Sequence, residues 1–466
     1  VRGGAYLVGR EAFGMCIRLA GVVATVRLIG PNHYGIYAAA AAFTLVVATI
    51  AQMGAEVYLI RMPEEPSPEH YNQVFTYLIG TSLVTTAVAL GATFAFGGLL
   101  RPFGVLVPLR ILLLSVPINV LWAPAQARIE RSFGYRKMGI LEVGGDLALY
   151  GTAVPLAIFG FGAWSLIAGY FAWQTWLLVG SYAFSGLRPQ LRWSSGTARQ
   201  LTRYGFSYSM TSWIHRLSGL VNPLVVGGFF GAVGVGYVAF AQRLVDTIGF
   251  ANRGAYRLGL VAMSRVPAEQ KGRIERALEE GSVLQLVALG VPLAAFGVLA
   301  PKVVPLLFGR QWDASIRVYS LLALASLLGA AGLMQITFLL SRGRNGTVAW
   351  TAAIGGAILA ATAIPLVWRY GVDGFGYASL IALADLIFLD WKVRQEVAVS
   401  YRRYLPLTAV MAPLVAFPLL SFPLSLVMFA PAVVFLIVPS TRRQGIQQIM
   451  VVRSALSRRP VGQAPA

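Results

Sequence analysis

Tyr34-Gly-Ile-Tyr-Ala-Ala-Ala-Ala-Ala-Phe-Thr-Leu-Val-Val-Ala-Thr-Ile-Ala51 runs for eighteen residues without an acidic or basic side chain. A soluble amphipathic helix would interrupt such a run with a charged face every three or four residues. About 20 apolar residues, coiled at about 1.5 Å each, are what a helix needs to cross a hydrocarbon core. Helix is also the form in which an isolated segment satisfies its own backbone groups in lipid. Read outward from this run, the same pattern gives fourteen spans. They lie near 11–30, 34–60, 71–96, 104–127, 140–159, 162–185, 204–229, 232–260, 278–300, 312–340, 346–368, 372–391, 405–421 and 423–439. The last two are dense in proline (Pro406, Pro413, Pro418, Pro423, Pro431), which blurs the turn between them.

Composition agrees. The 466 residues are 57% hydrophobic and 12% charged, with mean hydropathy +0.68, whereas soluble domains carry about 25% charge. The expectation is an all-α polytopic membrane protein of about fourteen transmembrane helices.

A net charge of +20 would ordinarily raise nucleic acid as a partner. The positions of the charges argue against it, because most basic residues fall in short segments between apolar runs. With the N terminus in the cytoplasm, 26 of the 38 basic residues lie on the cytoplasmic side and 4 (Arg101, Lys302, Arg310, Arg369) on the other, with 8 inside helices. This asymmetry and the even helix count predict a multi-pass membrane protein with both termini cytoplasmic. The basic loops are expected to touch anionic lipid headgroups. Cys16 is the lone cysteine, and His33, His70 and His215 have no metal-ligand spacing, so no disulfide, metal or cofactor is expected. Arg10, Arg18 and Arg27 interrupt any signal-peptide apolar core in residues 1–30. No GxxxxGK[ST] phosphate loop occurs, so ATP hydrolysis is not expected. Every loop is too short for a soluble catalytic module.

Gly30-Pro-Asn-His-Tyr-Gly35 and Gly231-Ala-Val-Gly-Val-Gly236 place glycines five apart at an offset of 201, each followed by a small-residue helix. Any tight outer turn between helices favours glycine, but these two stand where the corresponding turns of duplicated six-helix halves are expected, an arrangement transporters use with the substrate site between them. The expected divisions are an N-terminal lobe at 1–200, a C-terminal lobe at 201–400, two added helices at 401–440 and a basic tail at 441–466.

Four segments carry a family resemblance: Val26-Arg-Leu-Ile-Gly-Pro-Asn-His-Tyr-Gly-Ile-Tyr37, Gly54-Ala-Glu-Val-Tyr-Leu-Ile-Arg61, Gly234-Val-Gly-Tyr-Val-Ala-Phe-Ala-Gln-Arg243 and Leu306-Leu-Phe-Gly-Arg-Gln-Trp312. Together, in this order, they resemble bacterial polysaccharide flippases of the multidrug/oligosaccharidyl-lipid/polysaccharide exporter superfamily. The resemblance covers helices 1 to 10. It implies two six-helix lobes around a central cavity, two additional helices, and translocation of an undecaprenyl-pyrophosphate-linked oligosaccharide to the outer leaflet.

Charges at bilayer depth are costly and tend to mark a substrate path. The eight intramembrane arginines are Arg18, Arg27, Arg110, Arg216, Arg243, Arg253, Arg257 and Arg317. Arg27, Arg110 and Arg317 stand near outer helix ends, where they can snorkel to headgroups. At 100° per residue, Gln242, Asp246, Arg253 and Arg257 share a face of helix 8, with Arg243 about 40° outside it. Guanidinium groups stay charged and grip phosphate oxygens in pairs. Arg18, Arg216, Arg243, Arg253 and Arg257 are therefore candidates to bind the lipid pyrophosphate. The other reading is internal pairing, with Arg243 or Arg253 neutralising Asp246. Gln242, Asp246 and Glu56 are candidates for gating or ion coupling. Glu142 and Asp146 are read as a solvated cluster with Arg128, Arg131 and Arg136. A drug or cation exporter of the same superfamily, or a membrane glycan polymerase or ligase, are the other functions considered. The first would want intramembrane carboxylates and the second a large outer loop. The protein is expected to work as a non-enzymatic monomer by alternating access.

Overall fold

The structure, a computed structural model, describes residues 2–99, 104–249, 270–421 and 424–431, with backbone alone at residues 2–13, 96, 99 and 207. Among the described residues it is helical and contains no strand. The α-helices are α1 (Arg2–Gln52), α2 (Ala55–Arg61), α3 (Pro68–Phe96), α4 (Leu106–Leu113), α5 (Val116–Leu121), α6 (Ala123–Arg131), α7 (Tyr135–Ile158) and α8 (Ala163–Ser185). They continue as α9 (Ser195–Ser218), α10 (Gly227–Ile248), α11 (Lys271–Phe308), α12 (Ala314–Ser341), α13 (Asn345–Tyr370), α14 (Asp373–Ala382), α15 (Asp385–Arg394) and α16 (Tyr404–Val415). Nine described segments are long and apolar enough to cross a membrane, which makes this an all-α polytopic membrane protein.

Several expected spans join into continuous segments. The turns expected after the first and seventh spans reduce to single glycines in positive-φ geometry, Gly30 (φ 72°) within α1 and Gly231 (φ 63°) within α10. One residue of that geometry redirects a helix without a loop, and glycine adopts it at little steric cost. Gly30 and Gly231 are 201 residues apart, so the sequence repeat is also a repeat of backbone conformation. Elsewhere the helix ends follow local chemistry. Ser67 caps α3, its Oγ accepting from the His70 amide at 3.2 Å, with Pro68 as first residue. Ser194 caps α9 in the same way, accepting from the Thr197 amide at 3.3 Å. At the C-terminal end α16 stops at Val415, short of the expected span 405–421, and short 3₁₀ turns follow at Phe417–Leu419 and Leu424–Phe429. Pro413 and Pro418 each remove a helical donor there. Residues 432–439 of the last expected span lie outside the described residues.

Contacts divide the chain into two compact units, Val1–Ala239 with Pro305–Trp312, and Phe240–Val304 with Asp313–Ala466. In lipid, helices gain little from hiding apolar surface, so close packing and polar contacts hold them together. The first unit packs around Ala40, Ala51, Ala55, Leu59, Leu78, Leu112 and Val116, all essentially inaccessible. Its small residues let backbones approach. The second unit packs Ile274 and Leu278 of α11 against Met334 and Phe338 of α12 and Leu389 and Val393 of α15. It is tied by a polar knot: Gln335 Nε2 donates to Asp390 Oδ1 (3.1 Å) and Tyr401 Oη (2.6 Å), and Tyr401 Oη donates to Asp390 Oδ1 (2.6 Å). Arg394 pairs with the other oxygen of Asp390.

Three arginines expected to snorkel instead make specific bonds. Arg27 Nη1 donates to Leu306 O (3.1 Å) and Leu307 O (3.3 Å), satisfying carbonyls at the end of α11. Arg110 donates to Thr93 Oγ1 (3.0 Å) and lies over the Phe94 ring, its guanidinium carbon 3.9 Å from the centroid. Arg317 Nε pairs with Asp373 Oδ2 at 2.8 Å.

Candidate functional site

In the first unit, three of the sequence-predicted residues are described in full. Arg18 of α1 pairs with Asp146 of α7, Nε to Oδ2 at 3.0 Å, and its Nε also faces Gly14 O at 3.3 Å. This corrects the reading of Asp146 as a partner of Arg128, Arg131 and Arg136. Arg131 is occupied elsewhere, donating to Leu59 O (3.1 Å), Ile60 O (2.9 Å), Met62 O (2.8 Å) and Glu64 O (2.9 Å). It thereby fixes the C-terminal end of α2, where helical carbonyls run out of partners. Arg18 and Arg27, on opposite sides of α1 by their spacing, accordingly meet different neighbours.

Arg216 lies in the last turn of α9 with its side chain exposed. Among the described residues its guanidinium makes no hydrogen bond and no ion pair. Its charge is within electrostatic reach of the Tyr170 hydroxyl. That hydroxyl accepts from Asn119 Nδ2 at 2.7 Å, and Gln174 is buried one turn along α8 with its Oε1 unpartnered. The sequence reading did not single out Asn119, Tyr170 or Gln174. Polar residues four apart on a hydrophobic helix, as Tyr170 and Gln174 are, would have been the signal.

Glu56 lies in α2, outside the candidate spans. Its Oε2 accepts from Gln52 Nε2 (3.2 Å) and its Oε1 from Gln126 Nε2 (3.2 Å), while the same Gln126 nitrogen donates to Glu130 Oε1 (3.1 Å). One amide thus bridges two carboxylates. Burial raises the Glu56 carboxyl from 4.5 to about 7, Glu130 pushes the same way, and the Gln52 bond opposes them. Glu56 therefore changes charge close to neutral pH.

In the second unit, Gln242, Arg243 and Asp246 are all exposed on α10, while Ala241, Leu244 and Val245 are buried. The three polar residues share one face of the helix. Gln242 Nε2 donates to Asp246 Oδ1 at 3.1 Å. Arg253 and Arg257 lie outside the described residues.

A feature the sequence showed only as a repeat is a physical contact in the first unit. A Cβ built on Gly35 would lie 1.7 Å from Ala232 O and 2.8 Å from Gly236 N. One built on Gly236 would lie 2.1 Å from Pro31 O and 3.3 Å from Gly35 N. The repeated glycines therefore cross backbone to backbone, each filling the space the other lacks. Residues 305–312 pack in the same region. Gln311 Nε2 donates to Arg27 O (3.0 Å), and fully buried Trp312 meets Tyr34 and Tyr237 edge-on at 5.7 and 6.2 Å between centroids. The segments quoted for the family resemblance thus include the residues that meet here.

Several known proteins resemble this chain. The succinoglycan biosynthesis transport protein ExoT of Rhizobium meliloti (strain 1021) is 25% identical over 377 residues, 79% of this chain and 74% of that protein. Among solved structures, the lipid II flippase MurJ in an inward closed conformation superposes with TM-score 0.72 at 14% identity, covering 97% of this chain and 98% of MurJ. An inward-facing multidrug resistance MATE family transporter gives 0.62 at 14% identity, covering 82% of this chain and all of that one. At such identities these two structures speak to the fold alone. Residues 24–317 match the family described as polysaccharide biosynthesis protein. Continuous helices, the paired glycine turns and this match over more than half the chain agree: the chain belongs to the polysaccharide biosynthesis protein family of membrane transporters, with the fold of the multidrug/oligosaccharidyl-lipid/polysaccharide exporters.

Proposed function

We propose that this transporter moves an undecaprenyl-pyrophosphate-linked oligosaccharide from the inner to the outer leaflet of the bacterial cytoplasmic membrane by alternating access. The observation that carries the reading is Arg216, a permanent cation inside the candidate span Tyr208–Ile248, with an exposed head and no hydrogen-bond or ion-pair partner for its guanidinium among the described residues. An unpaired guanidinium at membrane depth is expensive unless it faces water or an anion. A pyrophosphate offers several oxygens in the geometry that guanidinium binds. Arg18, Arg243, Arg253 and Arg257 complete the proposed anion path. Arg18 would exchange Asp146 for phosphate as the cargo enters.

The lobes, 1–200 and 201–400, would rock about this path, with both termini cytoplasmic, the protein acting as a monomer and without enzymatic chemistry. The crossed glycines Gly35 and Gly236, with Trp312 packed between Tyr34 and Tyr237, would close the outer end in the inward-open state. Glu56, bridged to Glu130, would gate the inner end by taking up a proton, and Gln242 with Asp246 would couple to an ion. A drug or cation exporter of the same fold would instead require carboxylates facing the cargo.

The test replaces Arg216 with Ala and with Lys and measures polysaccharide export at equal protein level. Export should fall sharply in R216A and partly in R216K, because lysine keeps the charge without the fork. Unchanged export in R216A would remove Arg216 from the cargo path.

A further inference from the structure

Apart from the intramembrane arginines, the first unit has a cavity of about 520 Å³ at one end of its helices. Glu69 and Asn72 of α3, Arg128 of α6, and Arg188, Gln190 and Arg192 of the segment after α8 line it. Its size falls within the range of pockets that hold small ligands, about 300–1,000 Å³. Pro68 begins one candidate span and Arg128 stands three residues before the end of another. The cavity therefore sits where hydrocarbon gives way to headgroups.

The segment carrying Arg188 and Arg192 is fixed along α3. The Gln190 amide donates to Asn72 Oδ1 at 3.1 Å and the Arg192 amide to Thr76 Oγ1 at 2.8 Å. Thr197 Oγ1 donates to Gln73 Oε1 at 2.7 Å, and Gly186 ends α8 in left-handed geometry with its amide on Tyr182 O. Ordinary topology-setting arginines need no such anchoring, since they act by charge alone. Here the backbone is held while the guanidinium heads are left over: among the described residues, those of Arg128, Arg188 and Arg192 make no hydrogen bond and no ion pair. Three like charges around one hollow, against the single carboxylate of Glu69, repel one another until an anion enters.

We infer that this cavity binds a phosphate group, held by Arg128, Arg188 and Arg192. Phosphate oxygens match paired guanidinium donors, and the position admits either the phosphodiester of an anionic phospholipid or a free phosphate or pyrophosphate. The site does not depend on the cargo proposed above, since none of its residues belongs to that path.

The experiment compares the full chain with the triple variant R128Q/R188Q/R192Q, with R188Q alone, and with R273Q/R276Q/R402Q. The last removes the same charge from exposed positions in the second unit. Each protein is placed in nanodiscs of phosphatidylcholine with or without phosphatidylglycerol. Retained lipid is counted by native mass spectrometry, and thermal stabilisation is measured with added pyrophosphate in detergent. The parent and the second-unit control should retain phosphatidylglycerol or respond to pyrophosphate equally. The first triple variant should need about tenfold more of the effective ligand, a loss in line with removed charge-assisted bonds. R188Q, a single change on the surface, should fall between and covers the case in which the triple variant misfolds. A response to phosphatidylglycerol alone identifies a lipid headgroup, and one to pyrophosphate alone a soluble ligand. Equal binding by the parent, R188Q and any folded triple variant, or no response to either probe, would overturn the assignment.

Discussion

Replacing Gly35 with Ala puts a methyl group 1.7 Å from a backbone carbonyl oxygen, Ala232 O. Ordinary van der Waals contact begins near 3.4 Å, so the two helices must separate by well over an ångström. The obstructing atom belongs to the backbone, and no side-chain rotation can relieve it. Overpacking of this kind costs about 1–3 kcal/mol where the surroundings can yield, and the crossing here leaves little room to do so. Gly236→Ala meets Pro31 O at 2.1 Å and should cost a similar amount. The double variant should cost clearly less than the sum, because the first methyl already opens the crossing that the second would strain. Gly80, in α3, has nothing within 4 Å of its would-be Cβ, so Gly80→Ala should be neutral or slightly stabilising through helix propensity. Thermal unfolding of the purified variants, followed by tryptophan fluorescence, measures the first effect. Trp312 lies beside the crossing, so its emission should shift in G35A and G236A before melting. If G35A and G236A melt with G80A, or if their effects simply add, the crossed-glycine account fails.

Other expectations follow from the same geometry. The Glu56 carboxyl is raised from 4.5 to about 7, so its contribution to stability is full below the unfolded value and is lost as pH rises through about 7. Glu56→Gln should therefore flatten the fall in melting temperature across that window, and an unaltered slope would remove Glu56 as its source. Arg131→Gln strips donors from four carbonyls at the end of α2 and should cost about 1.5–3 kcal/mol, the scale of charged hydrogen bonds. Hydrogen exchange should accelerate in residues 55–62 while α7 and α8 stay protected. Asp146→Asn should weaken the hold on Arg18 without emptying the cargo path, so export should persist where Arg18→Ala reduces it. The reverse order in an export assay would assign Arg18 a purely structural role.

Sequence alone determined the class of this molecule, because the constraint imposed by lipid is one-dimensional. A helix in hydrocarbon must be long, apolar and internally bonded, and each of those demands is written in a contiguous run such as 34–51. The glycine repeat was legible for the same reason: positive φ is a local need, met at Gly30 and at Gly231. Tertiary structure decided what the isolated charges do. Arg27, Arg110 and Arg18 look alike on a helical wheel, yet one caps a distant helix, one clasps Thr93 and Phe94, and one pairs with Asp146. Their partners lie from 16 to 280 residues away. A charge finds its partner through space, and the hydrophobic periodicity that announces helices carries no information about which helices meet. The crossing of Gly35 with Gly236 makes the same point. Sequence marked both as repeated glycines, but only the fold shows that each lacks a side chain because the other's backbone occupies the place.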